Sequence, residues 1–486
     1  MEIQTDSRVQ AILEIVARLV SESYLVGGAI RDHLLGRTLA ADVDLAVNAD
    51  GFDVARGVAD LSRERVTFVP LDRESGTARL VLRCEGSPTV DISTLKGADI
   101  GEDLRNRDFT INAIAVSVKE LLESATPHLI DPTGGRADIE RKLVRICSPW
   151  AFRDDPLRII RAFRFKAVLG FDITLETLDL VPQFLEGLEQ TAPERIRDEL
   201  FAILSSNAAF PALQEMEAWG LMDLLFPELV PMKGCSQNEY HHLDVWNHSL
   251  DTVRRLEQLL KDLPGGFGDL AEIVGSFAKQ EPVKGRSLGG LLKLAGLFHD
   301  SGKPATRTID ANGRVRFFGH EKVSRRLFEE RALALKLANR EISSAGEWIA
   351  GHLRPTILTS RSASRRAIYR LYRKFRTDVI GLFVLYLADL GASRGPARGR
   401  DEDEEALRAV NSALQTYLDY EAAPKESLIN GRDVMSMFGL APGPYLGSIL
   451  KRIAELQGMG EITTREQAVD AAREFLARNR RASKKM

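Results

Sequence analysis

The sequence predicts an α+β chain, with a small mixed sheet and flanking helices in its first 147 residues and an almost wholly helical remainder. Three observations predict it. Short apolar or alternating runs bounded by turn residues recur at Ser23–Val26, Asp42–Val47, Val66–Leu71, Ala78–Leu82 and Thr89–Ser93, as half-buried strands require. From Trp150 onward the apolar positions follow a helical period nearly to the end. A length of 486 residues exceeds what one core organises, so about three or four domains are expected.

The chain opens on a predicted helix over residues 6–20, where Ile12, Leu13, Ile15, Val16, Leu19 and Val20 form one stripe behind the capping candidates Asp6 and Ser7. The strand Ser23–Val26 runs into Gly27-Gly28, which lets the backbone turn and approach a bulky anion closely. The next strand carries Asp42-Val43-Asp44, and alternation puts both carboxylates on one face. Mg2+ favours one or two carboxylates together with substrate phosphates. Asp-x-Asp alone is common on solvated strands, and Gly-Gly alone is usually a turn. Together, in strand–turn–helix–strand order, they equip a site for metal-assisted phosphoryl chemistry. Asp91, on a later strand, is a candidate third carboxylate that would complete the site or act as base. Asp108 and Asn112 stand at i and i+4 and share a face if that segment is helical. Asp154-Asp155-Pro156-Leu157-Arg158 reads as a helix start, with acids at the N-terminus and proline in the first turn. Farther along, Pro264-Gly265-Gly266-Phe267-Gly268 and residues 278–290, with Pro282, Gly285 and Gly289-Gly290, are expected as loops. The acidic run Asp401–Glu405 reads as the solvated start of a helix.

Composition sets limits. Hydrophobic residues at 44% and charged residues at 28% are ordinary for a soluble globular protein. Cys84, Cys147 and Cys235 are few, odd in number and widely spaced, which argues against a disulfide framework or a cysteine-rich zinc site. No basic-then-apolar leader and no run of membrane-spanning length is present, so a cytoplasmic enzyme without a membrane partner is expected. The net charge of −3 does not advertise nucleic acid, so any RNA contact has to come from local patches.

The segment Leu25–Arg37 with Asp42-Val43-Asp44 resembles the head-domain signature of bacterial tRNA nucleotidyltransferases and poly(A) polymerases, within the polymerase β-like nucleotidyltransferases. Four further motifs match in order: Arg107–Ala113, Asp131–Gly135 with Asp138 and Leu143–Arg145, Asp154–Phe165, and Glu194–Leu200. The resemblance implies that Asp42 and Asp44 hold two Mg2+ ions bridging a triphosphate and an RNA 3′-hydroxyl. Gly27 and Gly28 would cradle the outer phosphates, and Arg31 would neutralise their charge, with Asp32 orienting Arg31 or capping the helix that begins there. It implies too that Asp108 and Asn112 read the ribose, with Arg107 a further nucleotide-binding residue. Asp155 and Arg158 would select the base, with Arg161 and Arg164 on the same helix as further nucleotide-binding residues. Asp accepts from an exocyclic amine and Arg donates to ring nitrogen or carbonyl acceptors, so one pair can serve cytosine and adenine. The chain departs from the family pattern in Asn106, where a second arginine is usual, and in Asp154, where Glu is usual.

Downstream, His248, His299-Asp300 after the apolar run Leu294–Phe298, and Asp389 near the end of an apolar helix resemble the HD superfamily of metal-dependent phosphohydrolases. Imidazole with carboxylate suits Mn, Ni, Co or Zn better than Mg alone. His320 and His352 fall between and are candidates for a second metal, while His241 and His242 stay unassigned. Some relatives with this domain hydrolyse phosphomonoesters or cyclic phosphates, and a degenerate domain serving as a helical platform for tRNA is the competing reading.

Residues 361–376 concentrate seven cations among aromatics. Arg365, Arg366, Arg370, Arg373 and Lys374 are the candidates for RNA phosphates, and the aromatics fit core positions. The tail Arg478–Lys485 is also basic. The expected domains are a catalytic head (1–147), a helical neck for base selection (148–235), an HD phosphohydrolase-like domain (236–425) and a helical tRNA-binding module with a basic tail (426–486). The activity implied is untemplated transfer of nucleotides from CTP and ATP to the tRNA 3′ end, adding CCA, CC, a single A or poly(A). The short stretch between Asp91 and Arg107 hints at a partial product. The different-class alternative is an HD phosphohydrolase acting on RNA ends with an inactive head.

Overall fold

Alternating burial builds the sheet that positions the N-terminal site. The computed structural model describes residues 7–37, 42–62, 66–74, 76–84, 87–124, 126–238, 242–358, 365–393, 401–422 and 426–483. Seven strands, β1 (Ser23–Val26), β2 (Asp42–Val47), β3 (Val66–Asp72), β4 (Thr77–Leu82), β5 (Thr89–Thr94), β6 (Ala115–Ser117) and β7 (Leu129–Ile130), lie in the order β3-β4-β5-β2-β1-β6-β7. Only β2 and β5 pair in parallel; the other neighbours are antiparallel, so the sheet is mixed. One face, carrying Val43, Leu45, Ala78, Leu80, Val90 and Ile92, is buried. The helices α1 (Ser7–Leu19) and α3 (Gly51–Leu61) pack on this side, α3 directly on the sheet, with Phe52 of α3 edge-on to Phe68. The opposite face keeps Asp42, Asp44, Arg79 and Asp91 at the surface or half-buried. The five strand runs read from the sequence are all present, while β6 and β7 are too short to show a period.

The first compact unit spans Met1–Ile203 and Pro211–Leu225, so the sheet and the helices Leu157–Leu169 and Pro193–Leu204 up to Ile203 lie together. The second spans Leu204–Phe210 and Phe226–Met486. Its centre is a bundle in which Val245–Lys261, Leu288–Phe298, Asn339–Gly351 and Asp378–Ala392 pack on one another and His320–Ala334 lies against two of them. The C-terminal helices Gly431–Phe438, Pro444–Gly458 and Arg465–Ser483 enclose a separate core of Ile429, Val434, Ile449, Ile453 and Ala468.

Of the two segments expected as loops, residues 280–287 are non-helical as expected, while Leu263–Phe267 and Gly289-Gly290 are helical. Leu263–Phe267 forms a short helix because Asp262 caps it through Gly265 N–H and Pro264 sits in its first turn, where its missing N–H costs nothing. Gly289 and Gly290 lie inside the buried helix Leu288–Phe298. The reason at Gly290 is close approach: a Cβ there would come within 2.6 Å of Ser205 Oγ. The same helix carries Lys293, whose ammonium donates to Ser206 O at 2.5 Å and lies 3.8 Å from Glu257.

Burial pushes the Lys293 pKa down to about 8, with Glu257 opposing only in part. Above that pH the native ammonium is lost while the unfolded one persists, so the unfolded state binds more protons and stability rises with pH. Chemical unfolding from about pH 7 to 10 is therefore expected to show the parent gaining on Lys293→Met, by on the order of 2–3 kcal/mol. Parallel curves for the two proteins would mean that Lys293 does not titrate in this range.

Candidate functional site

The exposed face of the sheet assembles the first cluster. Asp44 lies opposite Asp91 across the parallel β2–β5 pair and opposite Val26 across β1–β2. The chain leaves Val26 through Gly27 (φ 80°) into the helix α2 (Gly28–Leu34). A Cβ on Gly27 would stand 3.2 Å from Asp44 Oδ2, so only glycine leaves the space in front of that carboxylate open. Crowding by protein raises the Asp44 pKa, Asp91 and Asp42 add like charge, and Arg107 offsets part of this. A cluster whose own charges destabilise its ionised form is relieved by a bound cation. Asp42 accepts a hydrogen bond from the Thr89 hydroxyl at 2.6 Å, and Asp91 is gripped at both oxygens by Arg79.

Next to this cluster lies a chain of paired groups. Arg161 donates to Asp108 Oδ2 at 2.6 Å, Asn112 donates to Asp108 Oδ1 at 3.2 Å, and Arg31 donates to Asn112 Oδ1 at 2.7 Å. Asp32 in turn fixes Arg31 at 2.9 Å, the orienting role read for it from the sequence. Buried Asp108 would resist ionisation, but Arg161, Asn112 and Phe109 N–H together hold its carboxyl below the usual range. Asp108 and Asn112 do meet, although not on an α-helix as their spacing suggested. Only Thr110–Asn112 is helical, as one 3-10 turn, because Phe109 is extended and bridges to Ile146.

Asp155 precedes the helix Leu157–Leu169, caps it through Leu157 N–H and pairs with Arg195 at 2.8 Å. Arg158 reaches the carbonyls of Ala151 and Asn106. Arg161 and Arg164 both approach Glu199 of the helix Pro193–Leu204 and tie two helices together, and Arg161 also lines the cleft described next. A cleft of about 270 Å³ is lined by Thr77, Lys96, Arg107, Asp108, Asp155 and Arg158, among others. Its lining offers cations and a buried carboxylate in one concavity.

The second cluster lies in the helical unit. His248, His299 and Asp389 bring three ligand atoms within 4.8 Å of one another, and Asp300, His320 and His352 form a second such triad. Asp300 stands between them: its Oδ2 is 3.2 Å from His299 Nε2, and its Oδ1 is 3.2 Å from His320 Nε2. His299, His320 and His352 each direct Nδ1 at a backbone carbonyl, of Gly296, Phe317 and Ile349, at 2.7–2.8 Å. That contact orients each ring and turns Nε2 inward, where His320 Nε2 meets His352 Nε2 at 3.4 Å and His299 Nε2 faces Asp300, the orientation metal-binding imidazoles adopt. His299 Nε2 and Asp300 Oδ1 are buried without an aligned hydrogen-bond partner. Burial and the neighbouring His299 lower the His352 pKa to about 4. His299 is buried as well, but Asp300 and Asp389 outweigh burial and raise its pKa to about 10. The donor set fits one or two divalent transition ions. Lys303 Nζ lies 2.6 Å from Asp300 Oδ2 and holds Gln237 on its other side.

Comparison with known proteins now decides the family. The Poly A polymerase head domain matches residues 23–145, the probable RNA and SrmB-binding site of polymerase A residues 170–232, and the HD domain residues 245–406. The A-adding tRNA nucleotidyltransferase of Deinococcus radiodurans is 35% identical over 91% of this chain and 93% of that protein. The chain belongs to the tRNA nucleotidyltransferase family. The CC-adding tRNA nucleotidyltransferase of Geobacter sulfurreducens is 33% identical over 92% and 90% of the two chains. A Thermotoga maritima CCA-adding enzyme complexed with tRNA shares the fold at 21% identity, with a TM-score of 0.63 and coverage of 96% and 95%.

Within this nucleotidyltransferase the basic helix Arg365–Phe375 buries Tyr369, Tyr372 and Phe375 in core, as expected of aromatics at that spacing. Arg366 pairs with buried Glu455 and Lys374 with Glu347, while Arg370 and Arg373 are exposed. The side chain of Arg365, residues 361–364, His241 and the side chains of the basic tail lie outside the described residues, and His242 is exposed. No helix among the described residues is long and apolar enough to cross a membrane. Sequence reasoning did not single out Arg79, Lys96, Arg195 or Lys303. Lys303 had a signal, three residues beyond Asp300.

Proposed function

We propose that this family member transfers CMP, AMP or both from CTP and ATP to the 3′ end of tRNA by two-metal phosphoryl transfer. The observation that carries it is the pair Asp42 and Asp44 on one face of the strand, Asp44 against the Gly27 turn, beside a cleft lined by Asp108, Asp155 and Arg158. Asp42 and Asp44 would hold Mg2+, which when bound activates the 3′-hydroxyl and stabilises the departing pyrophosphate. The backbone at Gly27 and Gly28, with Arg31 and Arg107, meets the triphosphate. Asp108 and Asn112 orient the ribose from a network that is already built, and Asp155 with Arg158 reads the base edge. The Asp155–Arg195 pair leaves an Asp acceptor and an Arg donor preset, so the protein itself takes the place of a template. Arg370 and Arg373 supply cations for the tRNA backbone.

The two relatives named above, at 35% and 33% identity, are an A-adding and a CC-adding enzyme, which favours a partial product. Three tRNA transcripts, ending before CCA, after C and after CC, are each incubated with Mg2+ and CTP, ATP or both. We expect growth that stops at CC or adds one A only to the CC end. Growth of the first transcript by CCA would overturn the partial product, and no incorporation would overturn the head assignment. The double triad supports a second activity, hydrolysis of phosphoesters at RNA ends by the HD site.

A further inference from the structure

The three carboxylates on the open face of the sheet are not equivalent. Register places Arg79, Asp91 and Asp44 in one row across β4, β5 and β2. Alternation turns all three to the same face, because Ala78, Leu80, Val90, Ile92, Val43 and Leu45 fill the other. Asp91 therefore has two neighbours to choose between, a guanidinium on one side and a carboxylate on the other.

It has taken the guanidinium. Arg79 Nε lies 2.7 Å from Asp91 Oδ1 and Nη2 lies 2.8 Å from Oδ2, a fork that occupies both oxygens. Bidentate charge-assisted pairs are among the stronger and more directional contacts available to a carboxylate. A metal drawing on Asp91 would have to break at least one of those bonds. Asp42, by contrast, is held by a neutral hydroxyl, and Asp44 faces the open space before Gly27.

We propose that Arg79 is a positioning residue that removes Asp91 from the ligand set, so that the metal is held by Asp42 and Asp44 alone. The inference rests on the nucleotidyltransferase reading of the head. Asp91 then acts as the anchor of Arg79, which stays beside the carboxylate pair as a fixed cation. The arrangement limits how tightly the protein holds metal before nucleotide arrives. Binding is left to depend on the phosphates that the incoming nucleotide brings.

The test uses the full-length protein and Mn2+ titrated without nucleotide, followed by the resonance of the free ion. Asp42→Ala defines the share of binding that belongs to the head. Arg79→Gln, and Arg79→Met as a second variant, are expected to tighten that share about threefold to tenfold by releasing Asp91. Half-maximal incorporation should shift to lower Mg2+ by a similar factor. Asp91→Asn should leave the Mn2+ affinity of the head within about twofold, since position 91 gives no ligand. Unchanged Mn2+ binding in both Arg79 variants, or an Asp91→Asn variant that binds Mn2+ as weakly as Asp42→Ala, would overturn the proposal. Full incorporation by Asp42→Ala would instead overturn the head assignment itself.

Discussion

Replacing Asp44 by asparagine is expected to lower nucleotide incorporation by roughly a thousandfold, with little loss of folding stability. The side chain projects from the open face of β2, between buried Val43 and Leu45 that keep the strand in place whatever residue 44 is. The burial and like charge that raise its pKa are relieved in the amide, so the variant loses a cation ligand while shedding a local repulsion. Unfolding measured alongside incorporation separates the two effects. A tRNA product at parental rates would remove Asp44 from the mechanism. A large fall in stability would show that the carboxylate is structural.

The second large effect is expected at Asp300. Asp300→Asn should abolish transition-metal binding at both triads, because one oxygen faces His299 and the other His320. Cobalt is the convenient probe, since its visible absorption reports imidazole and carboxylate ligation directly. The variant also leaves Lys303 without its buried partner, at a stability cost on the order of 3 kcal/mol. Incorporation into tRNA should continue, as the head carboxylates are untouched. Retained cobalt bands would mean that the two triads bind independently of Asp300. Phosphoesterase activity on a cyclic or terminal nucleotide phosphate should disappear with the metal, and its persistence would place that chemistry elsewhere.

Much of the head was legible because its information is local. Asp42 and Asp44 are two residues apart on a strand, and a period of two settles which way they point. The five longer strands declared themselves through alternation, whereas β6 and β7, three and two residues long, could not. The histidine ligands were legible both as residue types and in their two groups, His248 and His299 with Asp389, and His320 with His352. Asp300 was read with the first group, whereas the fold puts it in the second triad, with its other oxygen 3.2 Å from His299. What escaped depends on register or distance. Arg79 meets Asp91 because β4 and β5 pair at one offset, and a shift by one residue would turn it to the buried face. Arg195 meets Asp155 across 40 positions. Gly289-Gly290 resembled a loop because glycine marks both flexible and closely packed backbone, and composition does not tell them apart.

The path of the chain between its two compact units has a practical consequence. It passes from one to the other after Ile203, returns after Phe210 and leaves again after Leu225. Cutting the gene at any single codon therefore never yields both halves intact. A fragment ending at Ile203 gives up Pro211–Leu225, while one ending at Leu225 carries away Leu204–Phe210, whose Ser206 carbonyl is the acceptor for Lys293. Recombination that treats the chain as beads on a string, joining one head to another tail, would strand a helix or a clamp on the wrong side. The two activities proposed for this protein are thus expected to travel through evolution as one inheritance, even where only one of them is under selection.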